Sequence, residues 1–408
     1  MDREEIANTI RLIETKNDFL ELLNRIKREN IDFADNQDQE TYPFTMKQLN
    51  FYINPKHTTG RYKEFYIKKK SGGMRRITAP RTKTFQLMLS AVNEILKAVY
   101  VPTQFATGFV EGRSIVDNAI PHQNQYYVFN TDLKDFFPSI DQARVWKRLQ
   151  VKPYNFPGIV ANLIAGLCSM QMISKEDGED NIRYVLPQGA PTSPILTNMI
   201  CERLDRQLAG LAKRYGLRYT RYADDITFSS LHNIYQEGGE FRKELEHIIK
   251  EQKFTINNEK TRLQKAGERQ EVTGLVVNQR VNVPNQYVRN IRNLLYIWDR
   301  YGYDVAYNCF LPKYKKEKGH VKKEKPNLSN VIEGKLLYLK MVKGENNPVY
   351  RRLFDKFNSL TTPYHAQEIE MSEGVSIEQL VALMEPDISD IDKLNNDLDE
   401  LLMRSYGG

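Results

Sequence analysis

Two adjacent aspartates, Asp224 and Asp225, sit inside the run Tyr219-Thr-Arg-Tyr-Ala-Asp-Asp-Ile-Thr-Phe228, between arms rich in aromatic and β-branched residues. Such arms read as strands, and the acids between them as the turn of a hairpin. Neighbouring like charges repel, and apolar surroundings add a desolvation cost, so a folded chain keeps such a pair for a cation. Hard carboxylate oxygens suit Mg²⁺, which also takes phosphate oxygens and water. A third acid has a related setting, because Tyr126-Tyr-Val-Phe-Asn-Thr-Asp132 reads as a buried strand that ends on Asp132. All three acids stand at strand ends and turns.

The surrounding chain supplies material for an α+β core in which an antiparallel sheet is backed by helices. Helices are expected over 141–149, 154–168 and 193–215. Before them, the first thirty residues repeat apolar positions at helical spacing. Arg61 to Lys70 and Met74 to Ala79, joined by Ser71-Gly72-Gly73, form a β-hairpin signal with many basic residues. A helix over 82–99 follows, with Phe85, Leu89, Val92 and Leu96 on one face. After Pro284 the pattern is helical again, broken by a lysine-rich segment over 313–325 that is expected as a solvated loop or as a phosphate-contacting arm.

A length of 408 residues implies two to four structural units. With 40% hydrophobic and 27% charged residues, no apolar stretch of membrane-spanning length and no charged-then-apolar leader, a soluble cytoplasmic protein without membrane contact is expected. Cys168, Cys201 and Cys309 lack the spacing of a disulfide framework or a zinc site, and are expected as buried small hydrophobes. Net charge is +7, but the stretch from Tyr364 to Gly408 holds eleven acids against Lys393 and Arg404, which leaves +16 on residues 1–363. A basic body of that size suits a polyanionic partner, most simply nucleic acid.

Order along the chain sharpens this. Asp132 comes first, then Leu186-Pro-Gln-Gly-Ala-Pro-Thr-Ser-Pro194, then Tyr222-Ala-Asp-Asp225, then Asn257-Asn-Glu-Lys-Thr261. In content and order the four segments resemble motifs A, B, C and D of the reverse transcriptase palm, within a resemblance spanning about Phe51 to Lys340. It implies an α+β right-hand polymerase. N-terminal helices would occupy 1–40, fingers 41–127, the palm 128–283 with a fingers-side insertion around 150–187, and a helical thumb 284–362 with the basic loop 313–325. An acidic helical extension, 363–408, would follow, as a docking surface for an effector protein or a second copy of the chain, or as packing material.

The resemblance also implies roles. Asp132 and Asp224 would hold two Mg²⁺ ions, with Asp225 beside them as a more peripheral acid and the Leu133 backbone carbonyl completing the ligand set. Phe137 matches the aromatic that blocks a ribose 2′-hydroxyl, which implies deoxynucleoside triphosphate substrates. Gln188 and Gly189 match the turn that meets the incoming nucleotide. Arg75 and Arg76 lie where the family places its triphosphate-gripping cations, and either suits bidentate phosphate contact. Lys260 matches a lysine that protonates departing pyrophosphate.

Two shorter elements point to retron reverse transcriptases. Asn118-Ala-Ile-Pro-His122 fits their Asn-Ala-x-x-His element, and Val272-Thr273-Gly274 fits their Val-Thr-Gly element. The likeness implies that these residues, Asn118, His122, Val272, Thr273 and Gly274, bind a cognate structured noncoding RNA, by shape and backbone more than by base edges. It further implies that the chain copies part of that RNA into branched multicopy single-stranded DNA, leaving an RNA–DNA hybrid, within an antiphage defence system. Alternatives are another bacterial reverse transcriptase lineage, maturase-like or defence-associated, and a catalytically inactive RNA-binding scaffold. Intact Asp132, Asp224, Asp225 and Lys260 argue against the scaffold.

Overall fold

The protein is described by a computed structural model over residues 1–29, 42–68, 72–176, 179–318 and 326–362. The acidic extension expected at 363–408, and the lysine-rich segment from 319 to 325, lie outside the described residues. The chain divides into two compact units, Met1–Val281 and one beginning at Asn282.

The first unit opens with α1 (Arg3–Arg11) and α2 (Lys16–Glu29), whose Ile6, Ile10, Phe19, Leu22, Leu23 and Ile26 are buried. Next come α3 (Met46–Tyr52) and the single turn α4 (Thr58–Arg61). Thr45 starts α3 with a reciprocal capping box to Gln48, which satisfies two otherwise orphaned helix-end groups. Strands β1 (Tyr62–Lys68) and β2 (Met74–Pro80) pair antiparallel from Tyr62 opposite Pro80 to Lys68 opposite Met74. Helix α5 (Lys83–Val99) buries Phe85, Leu89, Val92 and Leu96, the stripe read from the sequence. The short α6 (Ile115–Ala119) leads through a turn at Ile120–His122 into β3 (Tyr127–Asp132).

Helices α7 (Gln142–Gln150) and α8 (Gly158–Cys168) then pack together. The helix expected from residue 154 begins only at Gly158. Asn155 takes a left-handed φ of 50°, and Pro157 forces the residue before it out of the helical region. An unexpected antiparallel hairpin follows, β4 (Met170–Glu176) with β5 (Glu179–Val185). Helix α9 (Ser193–Arg214), strands β6 (Arg218–Tyr222) and β7 (Asp225–Ser230), helix α10 (Glu240–Glu251) and strand β8 (Arg262–Lys265) complete the core. A two-residue ladder of β9 (Glu271–Val272) and β10 (Leu275–Val276) ends the unit.

The central sheet is antiparallel, in the order β6-β7-β3-β8. Strand alternation gives it two unlike faces. Phe129, Ile226, Phe228 and Tyr219 share the face that meets α9 and α10, where Phe129 stacks on Tyr235 and Phe228 meets Phe241 edge-on. Asn130, Asp132, Thr220, Asp225, Thr227 and Ser229 share the other. Polar groups there are paired: Asn130 Nδ2 donates to Thr227 Oγ1 at 3.0 Å and Gln264 Nε2 to Asn130 Oδ1 at 2.6 Å. One face is thus a hydrophobic floor, and the other keeps a row of polar side chains level with the acids.

The second unit contains α11 (Asn285–Tyr301), α12 (Tyr303–Lys318), α13 (Leu328–Lys343) and α14 (Pro348–Thr361). The expected stripe of Ile291, Leu294, Leu295 and Trp298 is buried. The structure corrects the expected loop over its first part, since Lys313 to Lys318 continue α12. Lysine and glutamate are good helix formers, so a charged run need not leave a helix. All three cysteines are free and buried, as expected. Among the described residues no helix is long and apolar enough to cross a membrane.

Candidate active site

The three aspartates converge at one end of the central sheet. Asp132 closes β3, Asp225 opens β7 directly opposite it, and Asp224 occupies the two-residue turn between β6 and β7. The Leu133 N–H donates to the Asp224 carbonyl at 3.1 Å, which ties the end of β3 to the turn. Asn257 then fixes Asp132 twice, its N–H donating to the Asp132 carbonyl at 2.8 Å and its Nδ2 to Oδ1 at 3.2 Å. Lys260 Nζ donates to Asp132 Oδ2 at 2.9 Å. The sequence signal for Asn257 is its position alone, three residues before Lys260.

Electrostatics follow from this crowding. Burial first, then the charges of Asp225 and Asp132, push the Asp224 carboxyl up to about 7. Asp225 keeps an exposed surface, yet partial desolvation and the Asp132 charge raise it against the pull of Lys260 and Arg262. Burial works to lower the Lys260 ammonium but is outweighed by its hydrogen bond to Asp132 and the charges of Asp224 and Asp225, so its pKa is raised. Carboxyls whose pKa is raised by burial and by neighbouring carboxylates, as at Asp224 and Asp225, are a site prepared for positive charge. Among the described residues no group of three or more Asp, Glu, His or Cys side chains stands ready to hold an ion. An open set of carboxylates nevertheless fits Mg²⁺, which fills its shell with water and phosphate oxygens.

Gln188 and Gly189 pack against the basic hairpin. The Thr78 N–H donates to the Gln188 carbonyl at 2.8 Å. Gly189 adopts φ +132°, and a Cβ there would lie 2.9 Å from Ile77 Cγ2 and 3.0 Å from the Thr78 carbonyl oxygen. Arg75 and Arg76 are both exposed on β2, and Arg76 pairs with Glu64 on β1. Phe137 is half-buried, its ring 6.1 Å from Phe109 and 5.6 Å from Phe136.

The retron-like elements are brought together elsewhere, beneath the polar face of the sheet. Thr107 Oγ1 donates to Asn118 Oδ1 at 2.7 Å, and Asn118 Nδ2 reaches Thr273 Oγ1 at 3.5 Å. His122 uses both ring nitrogens, Nδ1 with Ser229 Oγ at 2.7 Å and Nε2 with Thr220 Oγ1 at 2.8 Å. Asn118, His122 and Val272 are each 0% exposed. These side chains are sealed from solvent, and His122 props β6 and β7 from beneath. Thr273 and Gly274, with φ of 48° and 82°, form the tight turn between β9 and β10, and Gly274 is exposed.

Sequence comparison places these features among known proteins. The family model for reverse transcriptase (RNA-dependent DNA polymerase) matches residues 67–282. The chain is 39% identical over 250 residues to the retron Mx65 reverse transcriptase of Myxococcus xanthus, covering 59% of this chain and 57% of that one. It is 34% identical over 261 residues to the retron Mx162 reverse transcriptase of the same organism, covering 58% and 52%. With the retron Ec86 reverse transcriptase of Escherichia coli it shares 32% over 235 residues, covering 57% and 68%. The chain therefore spans only a little over half the length of the two Myxococcus relatives.

Proposed function

The chain belongs to the reverse transcriptase (RNA-dependent DNA polymerase) family and to its retron-type branch, and from that premise we propose that it is an RNA-directed DNA polymerase. The observation that carries the proposal is the pairing of Asp132 with Asp225 across β3 and β7, with Asp224 in the adjoining turn. Two Mg²⁺ ions, when bound, would supply the charge that activates a primer hydroxyl and neutralises the triphosphate during in-line phosphoryl transfer. Asp132 and Asp224 would hold them, aided by the Leu133 carbonyl, with Asp225 more peripheral.

The remaining residues bind and orient. Lys260, cationic and close to Asp132, is placed to give a proton to the leaving pyrophosphate. Gln188 and Gly189 would receive the incoming nucleotide, with Phe137 as the bar against a 2′-hydroxyl. Arg75 shares a strand face with Ile77, the side chain against Gly189, and is the better candidate for the triphosphate; Arg76 is drawn to Glu64. The partner is a structured noncoding RNA with its RNA–DNA hybrid product, met in part by the β9–β10 turn at the exposed Gly274. Residues 1–127, 128–283 and 284–362 would then act as N-terminal helices with fingers, as palm and as thumb. Synthesis of branched multicopy single-stranded DNA, a cytoplasmic site, a defence role and an effector docked on 363–408 complete the reading.

The test is incorporation of labelled deoxynucleotides on RNA co-purified with the protein. Wild type is expected to extend it, and Asp224→Asn/Asp225→Asn to lose at least about 1,000-fold in rate with RNA retained. Full activity in the double variant would refute the metal assignment, and retained RNA without synthesis by wild type would favour the scaffold.

A further inference from the structure

Behind the acidic turn lies a buried polar network that no motif accounts for. Ala223, the residue before Asp224, has φ +57°, a left-handed conformation that a side chain bearing a Cβ disfavours. Strain of this kind persists only where the surroundings over-determine it. Here the turn is held from two directions. Arg221 Nη1 donates to the Ala223 carbonyl at 3.0 Å. Gly108 lies flush against the turn, so that a Cβ on it would stand 2.5 Å from the Ala223 nitrogen and 2.9 Å from the Tyr222 carbonyl carbon.

The arginine is itself fixed. Arg221 is 0% exposed and grips Asp205 of α9 with two prongs, Nε to Oδ1 at 2.7 Å and Nη2 to Oδ2 at 2.8 Å. Its Nη1 also donates to Asn198 Oδ1 at 3.1 Å, and Asn198 Nδ2 donates to the Gly108 carbonyl at 3.0 Å, which closes a ring from guanidinium to glycine. Tyr219 Oη adds a donor to Asp205 Oδ1 at 2.8 Å. Backbone bonds bind the same pieces: the Arg221 N–H donates to the Phe105 carbonyl and the Thr107 N–H to the Arg221 carbonyl, both at 2.9 Å. Helix α9, the 105–108 segment and β6 thus meet at one carbonyl, that of the residue before Asp224.

We infer that Arg221, Asp205, Asn198 and Gly108 are positioning residues that hold the Ala223–Asp224 turn so that Asp224 presents its carboxylate opposite Asp132. A buried ion pair serving stability alone can be exchanged for apolar residues of similar volume without loss. This one spends a guanidinium donor on the strained turn, a task no apolar side chain can perform. Misplacing a catalytic group by about 1 Å costs on the order of 100-fold in rate. The inference rests on the polymerase reading above.

The experiment compares wild type with Asp205→Leu/Arg221→Met/Tyr219→Phe, which replaces the ion pair and its tyrosine without leaving a buried charge, and with Gly108→Ala, which leaves the network whole and pushes on the turn. Each protein is measured three ways: thermal melting, Mn²⁺ binding without nucleotide followed by the spin resonance of free ion, and deoxynucleotide incorporation. Both variants are expected to bind RNA as wild type does, to lose about 100-fold in kcat and to bind Mn²⁺ at least about tenfold more weakly. The triple variant is expected to stay folded, melting somewhat lower for the two acceptors it leaves without a donor. A folded triple variant with wild-type Mn²⁺ affinity and rate overturns the inference. Should it not fold, Gly108→Ala decides, and wild-type affinity and rate in that protein overturn it equally. Failure of the polymerase reading shows differently, as a wild type that incorporates nothing, and the Mn²⁺ comparison still reads the turn.

Discussion

Burial holds the His122 imidazole neutral, pushing its pKa down to about 3, by desolvation first and by the Arg218 charge second. An unfolded chain takes up that proton near pH 6.5. The unfolded state therefore binds more protons between those values, and the stability from a neutral, hydrogen-bonded His122 is complete above about pH 6.5 and lost as pH falls toward 3. His122→Gln keeps a donor and an acceptor for Ser229 and Thr220 without the titration. Urea unfolding should show wild type losing about 3 kcal/mol more than the variant between roughly pH 7 and 4; equal losses would contradict a buried neutral ring. Nothing local in the sequence separates this histidine from one that contacts RNA, because its partners lie 98 and 107 residues away. Asp132, Asp224 and Asp225 were legible for the opposite reason: acids set among apolar arms break a short-range pattern.

At the scale of elements, strand alternation decides what residue type cannot. Arg75 and Arg76 are chemically equal, but they point to opposite faces of β2, one on the face of Ile77, which meets Gly189, and the other toward Glu64. Arg75→Ala should raise the KM for deoxynucleotides about tenfold, the worth of one charge-assisted contact, and Arg76→Ala about threefold or less; steady-state incorporation at saturating RNA reads both, and the reverse ranking would exchange their roles. Helix α5 was readable because its apolar stripe repeats over several turns, and β3 because its apolar run stops on an acid. The β4–β5 hairpin was not, because its seven-residue strands carry acids, lysine and asparagine that strands disfavour, and the two-residue strands β9 and β10 are too short to carry a period. The start of α8 and the helical Lys313 to Lys318 show the limits of reading punctuation: a proline three residues past the expected start and a helix-forming charged run each moved a boundary.

For the whole molecule, charge sets the partner and its conditions. With +16 on residues 1–363, RNA binding should rest largely on phosphate contacts and counterion release. Affinity should fall by at least about tenfold between roughly 50 and 200 mM salt, as measured by fluorescence anisotropy with a labelled RNA; a flat response would argue against a phosphate-dominated interface. The sequence by itself determined the chemistry: three acids, their order relative to the Gln188–Gly189 turn and Lys260, and the charge of the chain are covalent facts that local physics can read. Only the tertiary structure decided which residues serve that chemistry by contact and which from behind. Arg221, Asp205, Asn198 and Gly108 come from three stretches of chain, and the network they form behind the Ala223 carbonyl exists only once α9, β6 and the 105–108 segment are packed together.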